Sequence, residues 1–169
     1  MIKLTPFNNK VLAKVIEWHS DLDKMCELTV CYEPRTPEQI LNLFNSWLSD
    51  NTIKLFAILD NNDCIGYAML KNIDWIHRCA EIHLDIAEQQ NKGHAHTVFK
   101  LLTDYAFNNL NLRRISLWAI EEKKQLIQYF ECRGFINEGI LKKALYRNGK
   151  YQDVYLYGLL KDEYKGGQD

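Results

Sequence analysis

Gln90 to Thr97 reads Q-N-K-G-H-A-H-T, and the residues on either side of it decide the fold. Before it, Arg78–Ile86 alternates: Ile82, Leu84 and Ile86 point to one face, and Glu81, His83 and Asp85 to the other, the period of a β-strand. After it, Val98, Leu101, Leu102, Tyr105 and Ala106 recur at helical spacing. A strand that turns through one glycine into a helix is also an anion site in embryo. The first N–H groups of a helix lack internal partners and carry the positive end of its dipole. Gly93 lets a ligand approach the backbone, and Lys92 adds charge. A plain strand-to-helix turn is the bland alternative. A metal between His94 and His96 is the third, but i and i+2 diverge on a helix, and no other Cys/His cluster has ligand spacing. The two histidines are expected on the solvent or cofactor side of the helix start.

Outward from this point the chain reads as alternating elements. Ile2–Thr5 is a short strand. Val11 to about Leu28 has Leu12, Val15, Ile16, Leu22 and Met25 at helical spacing. Thr36-Pro37-Glu38-Gln39 starts another helix, with Thr36 as cap, Pro37 at the first position and Gln39 closing a capping box. Leu41, Phe44 and Leu48 form its expected buried stripe. Lys54–Leu70 is a hairpin turned at Asn61-Asn62-Asp63. Arg114–Ala119 is a strand, and Lys123–Cys132 a helix stopped near Gly134. Phe135–Tyr146 and Tyr151–Leu160 form a last strand pair, turned at Asn148-Gly149. The order β, α, α, β, β, β, α, β, α, β, β predicts a mixed α/β domain around one sheet. One domain is expected over residues 1–164, with a disordered tail at 165–169.

A net charge of −1 argues against a broad basic face for nucleic acid and against polybasic membrane attachment. No apolar run reaches the roughly 18–20 residues that span a bilayer, and the first residues lack a secretory-type apolar segment. The five cysteines are an odd number without C-x-x-C spacing, so a reducing cytoplasmic compartment is expected.

Several segments carry a family resemblance. Gln90-Asn-Lys-Gly93-His-Ala95 fits the pattern Q/R-x-x-G-x-G/A of the GNAT superfamily of acyl-CoA-dependent N-acyltransferases. Ile73–Glu81 resembles the segment entering the central strand of spermidine N-acetyltransferases and ribosomal-protein N-terminal acetyltransferases. Asp104–Arg114 resembles their motif helix, Arg133–Leu141 their G-F-x-x-E-G-x-L segment, and Tyr146–Asp153 followed by Tyr155 their closing n-G-x-y-x-D. The resemblance implies a central mixed, mostly antiparallel sheet, splayed between its fourth and fifth strands and flanked by about four helices in packed layers. It implies acetyl-CoA as the acyl donor and no metal. The pantetheine is expected along Leu84, Asp85 and Ile86. The pyrophosphate is expected at Gln90, Asn91, Lys92, Gly93, His94, Ala95 and His96. Relatives form dimers or larger rings, so a homo-oligomer is compatible with the resemblance.

The implied reaction is attack of a neutral amine on a thioester. An alkylammonium has a pKa of about 10 and must first lose a proton, which a carboxylate can take, directly or through water. Glu81 matches the glutamate on the fourth strand of relatives. The alternative for this face of the strand is simple solvation. The leaving thiolate needs a proton, and relatives supply a tyrosine from N-x-x-A-x-x-x-Y-x-x-x-G-F. Counting back from Gly134, Phe130, Leu126 and Lys123 stand at the tyrosine, alanine and asparagine positions. Tyr129 is one residue off, and one step turns a side chain by about 100° on a helix. Tyr129 is the candidate acid, with water the alternative. Leu126 and Phe130 read as core.

The expected function is acetyl transfer from acetyl-CoA to a primary amine: a polyamine, protein N-terminus, amino sugar or aminated antibiotic. Glu17, Asp21, Asp23, Glu27, Glu33 and Glu38 would suit a cationic acceptor or form a solvated surface. The rival is a catalytically weak or inactive acyl-CoA-binding module with a sensing or scaffolding role.

Overall fold

The computed structural model describes residues 1–21, 35–87, 93–147 and 149–164. The elements are β1 (Ile2–Pro6), α1 (Asn9–Ser20), α2 (Pro37–Ser49), β2 (Lys54–Asp60), β3 (Asp63–Asp74), β4 (Cys79–Ile86), α3 (His94–Asp104), β5 (Arg114–Ile120), α4 (Lys124–Cys132), β6 (Ile136–Arg147) and β7 (Lys150–Leu160). This is the predicted order. The sheet has seven strands in the order β1-β2-β3-β4-β5-β7-β6. The pairs β1–β2, β2–β3, β5–β7 and β6–β7 are antiparallel, and β4–β5 is parallel. The parallel pairs are Cys79↔Arg114, Ala80↔Ile115 and Glu81↔Ser116, the first residues of both strands.

The chain divides into two compact units, Met1–Lys71 with His83–Leu102, and Asn72–Ile82 with Thr103–Asp169. In the first, α1 starts at Asn8, whose side chain accepts from the amides of Lys10 and Val11. α2 starts with the capping box expected of Thr36 and Gln39, at 3.2 and 2.8 Å. The β2–β3 turn is tight because Asn61 and Asn62 both take positive φ, 48° and 78°, as a two-residue hairpin turn of this twist requires. Phe7, Val11, Leu12, Val15, Trp18, Ile40, Phe44 and Tyr67 form one core cluster with neighbours from β2 and β3. Phe44 stacks on Phe7 at 5.2 Å and meets Tyr67 edge-on at 5.1 Å.

Three expectations change here. α1 stops at Ser20, because Asp21 is extended (φ −97°, ψ 111°). Leu22, Met25 and the rest of that expected helix lie outside the described residues. The stripe of α2 is Ile40 and Phe44, with Trp47 packed beside them, whereas Leu41 and Leu48 are exposed. Positions 40, 44 and 47 share a helix face as well as 41, 44 and 48 do, so spacing alone does not choose between them. β4 begins with its apolar residues inside, Ala80 and Ile82, but then buries Asp85 and leaves Leu84 and Ile86 half-buried.

Gly66 is required by a close approach. A Cβ there would lie 2.2 Å from the Asp85 carbonyl oxygen and 2.9 Å from the Ile86 Cα. Backbone gives way less readily than a side chain, so Gly66→Ala is expected to cost at least about 2 kcal/mol. Urea denaturation checks this, and a loss below about 0.5 kcal/mol, the ordinary surface range, would contradict it.

In the second unit, α3 ends in a turn of π-helix, Tyr105–Asn109, marked by the Leu110 amide bonding the Tyr105 carbonyl at 3.1 Å. The wider turn buries Ala106 and Phe107 together where an α-helix would separate them by 100°. α4 ends as Gly134 predicts: Gly134 has φ +89°, its amide bonds Glu131 O at 3.2 Å, and the Phe135 amide bonds Phe130 O at 3.0 Å, a Schellman closure. The β6–β7 register reaches Arg147↔Lys150. Gly149 has φ +75°, and Asn148 of the expected turn lies outside the described residues, as does the expected tail at 165–169. Among the described residues no helix is long and apolar enough to cross a membrane.

Candidate functional site

The predicted site residues fall into the two units separately. Glu81, half-buried on β4, accepts from Asn72 Nδ2 at 3.3 Å through Oε2. Tyr129 is half-buried on α4, with its ring 6.0 Å from Phe130 and the Arg133 guanidinium 5.5 Å from its centroid. Phe130, the next residue, is fully buried, against Phe135 at 5.5 Å and Tyr157 at 5.9 Å. The residue step separating Tyr129 from Phe130 therefore gives the two rings different surroundings.

Two residues of the resembling segments hold strands. Glu138 forms a two-bond fork with the Arg114 guanidinium, and that cation holds the Glu138 carboxyl below its usual range. Asp153 accepts from Lys142 Nζ at 2.7 Å and the Lys143 amide at 2.8 Å.

In the first unit, α3 begins at His94 directly after Gly93. The Thr97 amide closes on the Gly93 carbonyl at 3.3 Å. The amides of His94, Ala95 and His96 precede it and have no carbonyl four residues back within the helix. Gly93 is exposed, and a Cβ there would meet nothing within 4 Å. Packing inside the protein does not demand glycine at this position, which leaves the backbone open to a ligand. These residues fit an anionic phosphate group. The His94 side chain is turned towards the Asp60 carboxylate, 3.6 Å from Nε2, rather than to solvent. Gln90, Asn91 and Lys92 lie outside the described residues. Among the described residues no group of three or more His, Cys, Asp or Glu is placed to hold a metal.

The feature that spacing did not foretell is the surrounding of Asp85. Its Oδ2 accepts from Tyr67 Oη at 2.5 Å and lies 3.1 Å from His83 Nε2. Burial pushes the Tyr67 phenol well above its usual pKa, and the Asp85 charge and hydrogen bond push it further, so it stays a donor. His19 of α1 lies beside it, 6.2 Å from the Tyr67 ring. Tyr67 and Asp85 come from different strands 18 residues apart, and Tyr67 sits in a run that reads as apolar hairpin.

His19 is buried, and its Nε2 has no hydrogen-bond partner among the described residues. Burial lowers its pKa below the reference 6.5, opposed by the Asp85 charge and assisted by Arg35. The unfolded chain therefore binds a proton at a pH where the folded chain does not. This linkage costs nothing above the unfolded value and removes stability as pH falls below about 6.5. Between pH 7 and 5, His19→Phe is expected to flatten the fall of unfolding free energy with acid, by up to about 1.4 kcal/mol per pH unit. Equal slopes for wild type and variant in calorimetry would contradict this.

Comparison with known proteins gives the site its family. Residues 7–156 match the family model described as Acetyltransferase (GNAT) domain. The chain is 38% identical over 130 residues to a spermidine N(1)-acetyltransferase of Vibrio cholerae, covering 75% of each chain. It is 34% identical over 117 residues to a putative ribosomal N-acetyltransferase of Bacillus subtilis, covering 69% of this chain and 63% of that one. The crystal structure of spermidine N-acetyltransferase from Vibrio cholerae in complex with CoA and spermine superposes with a TM-score of 0.85 at 30% identity, covering 96% of this chain and 97% of that one. The chain belongs to the GNAT family of acetyltransferases, enzymes that move an acetyl group from acetyl-CoA to an amine.

Proposed function

We propose that this enzyme acetylates a primary amine of a polyamine. The observation that carries the acceptor class is the likeness, over 97% of its chain, to a structure holding CoA and spermine. The exposed carboxylates of Glu17 on α1 and Glu38 on α2 suit a cationic acceptor. Asp23, Glu27 and Glu33 lie outside the described residues.

In this reading the amides following Gly93, those of His94, Ala95 and His96, take the donor's pyrophosphate. Gln90, Asn91 and Lys92 are proposed to bind the same group, and the backbone of Leu84, Asp85 and Ile86 to line the pantetheine arm. Acetyl-CoA supplies the acyl group as a thioester. Glu81 faces the acceptor ammonium, draws it by charge and takes its proton. Tyr129 is the phenol proposed to protonate the leaving thiolate.

The test is thiol release from acetyl-CoA against spermidine, spermine, amino sugars, aminoglycosides and N-terminal peptides, with wild type, Glu81→Gln and Tyr129→Phe. Preference for spermidine or spermine supports the reading. Turnover confined to another amine class replaces the acceptor. A Tyr129→Phe rate equal to wild type removes Tyr129 from the chemistry. No turnover with the whole panel overturns the polyamine reading.

A further inference from the structure

We propose that His83 is a second proton acceptor for the acceptor amine, held in one tautomer by Asp85 and Tyr67; this rests on the transfer reading above. The cluster lies within the first unit and runs from a buried carboxylate to a partly open imidazole. The Asp85 side chain is 7% exposed and that of His83 28%. An ionised carboxylate offers only acceptors. Tyr67 Oη donates to Asp85 Oδ2 at 2.5 Å, and His83 Nε2, at 3.1 Å from the same oxygen, must carry its proton there. Nδ1 is then the ring nitrogen with the free lone pair, and no described residue hydrogen-bonds it. A carboxylate that fixes one imidazole nitrogen so that the other serves as base is a recurring catalytic arrangement.

The chemistry gives such a group a use. A general base works best when its pKa lies near the operating pH. Glu81 draws the ammonium by charge, and the His83 imidazole, two residues further along the same strand and held by Asp85, offers the second acceptor. The ammonium R–NH3⁺ gives its first proton to Glu81. The freed lone pair then attacks the thioester carbonyl, a C–N bond forms and the C–S bond breaks. The nitrogen's second proton goes to His83 Nδ1, the third stays on the amide, the thiolate takes its proton from Tyr129, and Glu81 and Tyr129 return to their starting protonation through solvent. The imidazolium returns its proton to solvent. Among the described residues Asp85 on β4 and Tyr67 on β3 face the imidazole, Asp85 and Arg35 act electrostatically on Tyr67 and on His19, and His19 lies beside Tyr67.

A cluster serving only to satisfy the buried Asp85 would fold equally well, so the test reads the proton and not the fold. Imidazole ¹⁵N spectra of the full chain are recorded against pH for wild type, Asp85→Asn and Tyr67→Phe. The kcat/KM pH profile with spermidine is measured for wild type and His83→Gln. The expected result is the Nε2–H tautomer in wild type, weakened in Asp85→Asn. The acid limb of the wild-type profile should follow the His83 titration. In His83→Gln that limb should move to lower pH, and kcat should fall by about 100-fold at pH 7 with an amine KM near wild type. An Nδ1–H tautomer, or an acid limb that ignores the His83 titration, overturns the proposal. So does a His83→Gln enzyme with wild-type kcat and profile. If His83→Gln does not fold, the match between limb and titration in wild type decides. Absence of turnover with every amine of the panel overturns the transfer reading and the proton role together, while the tautomer still reports on the Asp85 contact by itself.

Discussion

Glu81→Gln is expected to lower kcat with the preferred amine by about 100-fold or more, while CoA binding stays close to wild type. Glutamine has the shape of glutamate, and its amide oxygen can still accept the 3.3 Å hydrogen bond from Asn72 Nδ2. The substitution keeps the shape, removes charge and basicity, and turns the buried Oε1 into an amide nitrogen. Charge loss weakens the pull on a cationic acceptor, so its KM should rise. The removed base should lower kcat at every pH, unlike the pH-selective loss expected from His83→Gln. Stopped-time thiol assays with calorimetric CoA titration separate the two effects. A Glu81→Gln rate within about threefold of wild type lies far below a general-base effect and would return this residue to the solvated face of a strand.

Phe130→Ala is expected to cost about 3–5 kcal/mol. The ring is fully buried and in contact with Phe135, Tyr157 and Tyr129. Its removal leaves a cavity that the Schellman end of α4 and the β7 backbone cannot close without breaking their own hydrogen bonds. For a chain of this length each kcal/mol shifts Tm by about 2–4 °C, so a fall of roughly 6–20 °C should be seen in a thermal melt. A shift of about 2 °C or less would mean the ring is not the core residue that its burial makes it. Tyr129, on the neighbouring face, has a partly exposed ring under Arg133, and Tyr129→Phe keeps that ring, so Tm should fall far less than in Phe130→Ala. The pair of variants thus separates the residue that holds α4 from the one proposed to act.

Much of this was readable in the sequence. The capping box of α2, the two asparagines of the β2–β3 turn and the glycine at the end of α4 are local devices. Each meets a backbone need with its own side chain or with the lack of one, and each formed where expected. The glycine ahead of α3 was also legible, since an unfilled space beside a helix start depends on a single residue. Where the reading went astray, two arrangements were locally equal. Positions 40 and 41 fit the α2 stripe alike, and only the placing of α2 against β2, β3 and α1 selected Ile40. The end of α1 at Ser20 came from Asp21 turning extended, which helical spacing of later apolar residues could not reveal. The π-turn after α3 shifts the buried face by one residue and has no composition signal.

The sequence by itself determined the order of the elements, the β2–β3 turn, the glycine end of α4 and the helix start after Gly93. These rest on interactions between residues a few positions apart, whose geometry the backbone fixes. Tertiary structure alone decided which carboxylates are mere surface and which are held. Alternation put Glu81, His83 and Asp85 on one polar face, but Asp85 turned out buried beneath Tyr67, with His83 bonded to it and His19 alongside. A buried charge is stable only where donors from other strands reach it, and no pattern along one strand records which donors those will be.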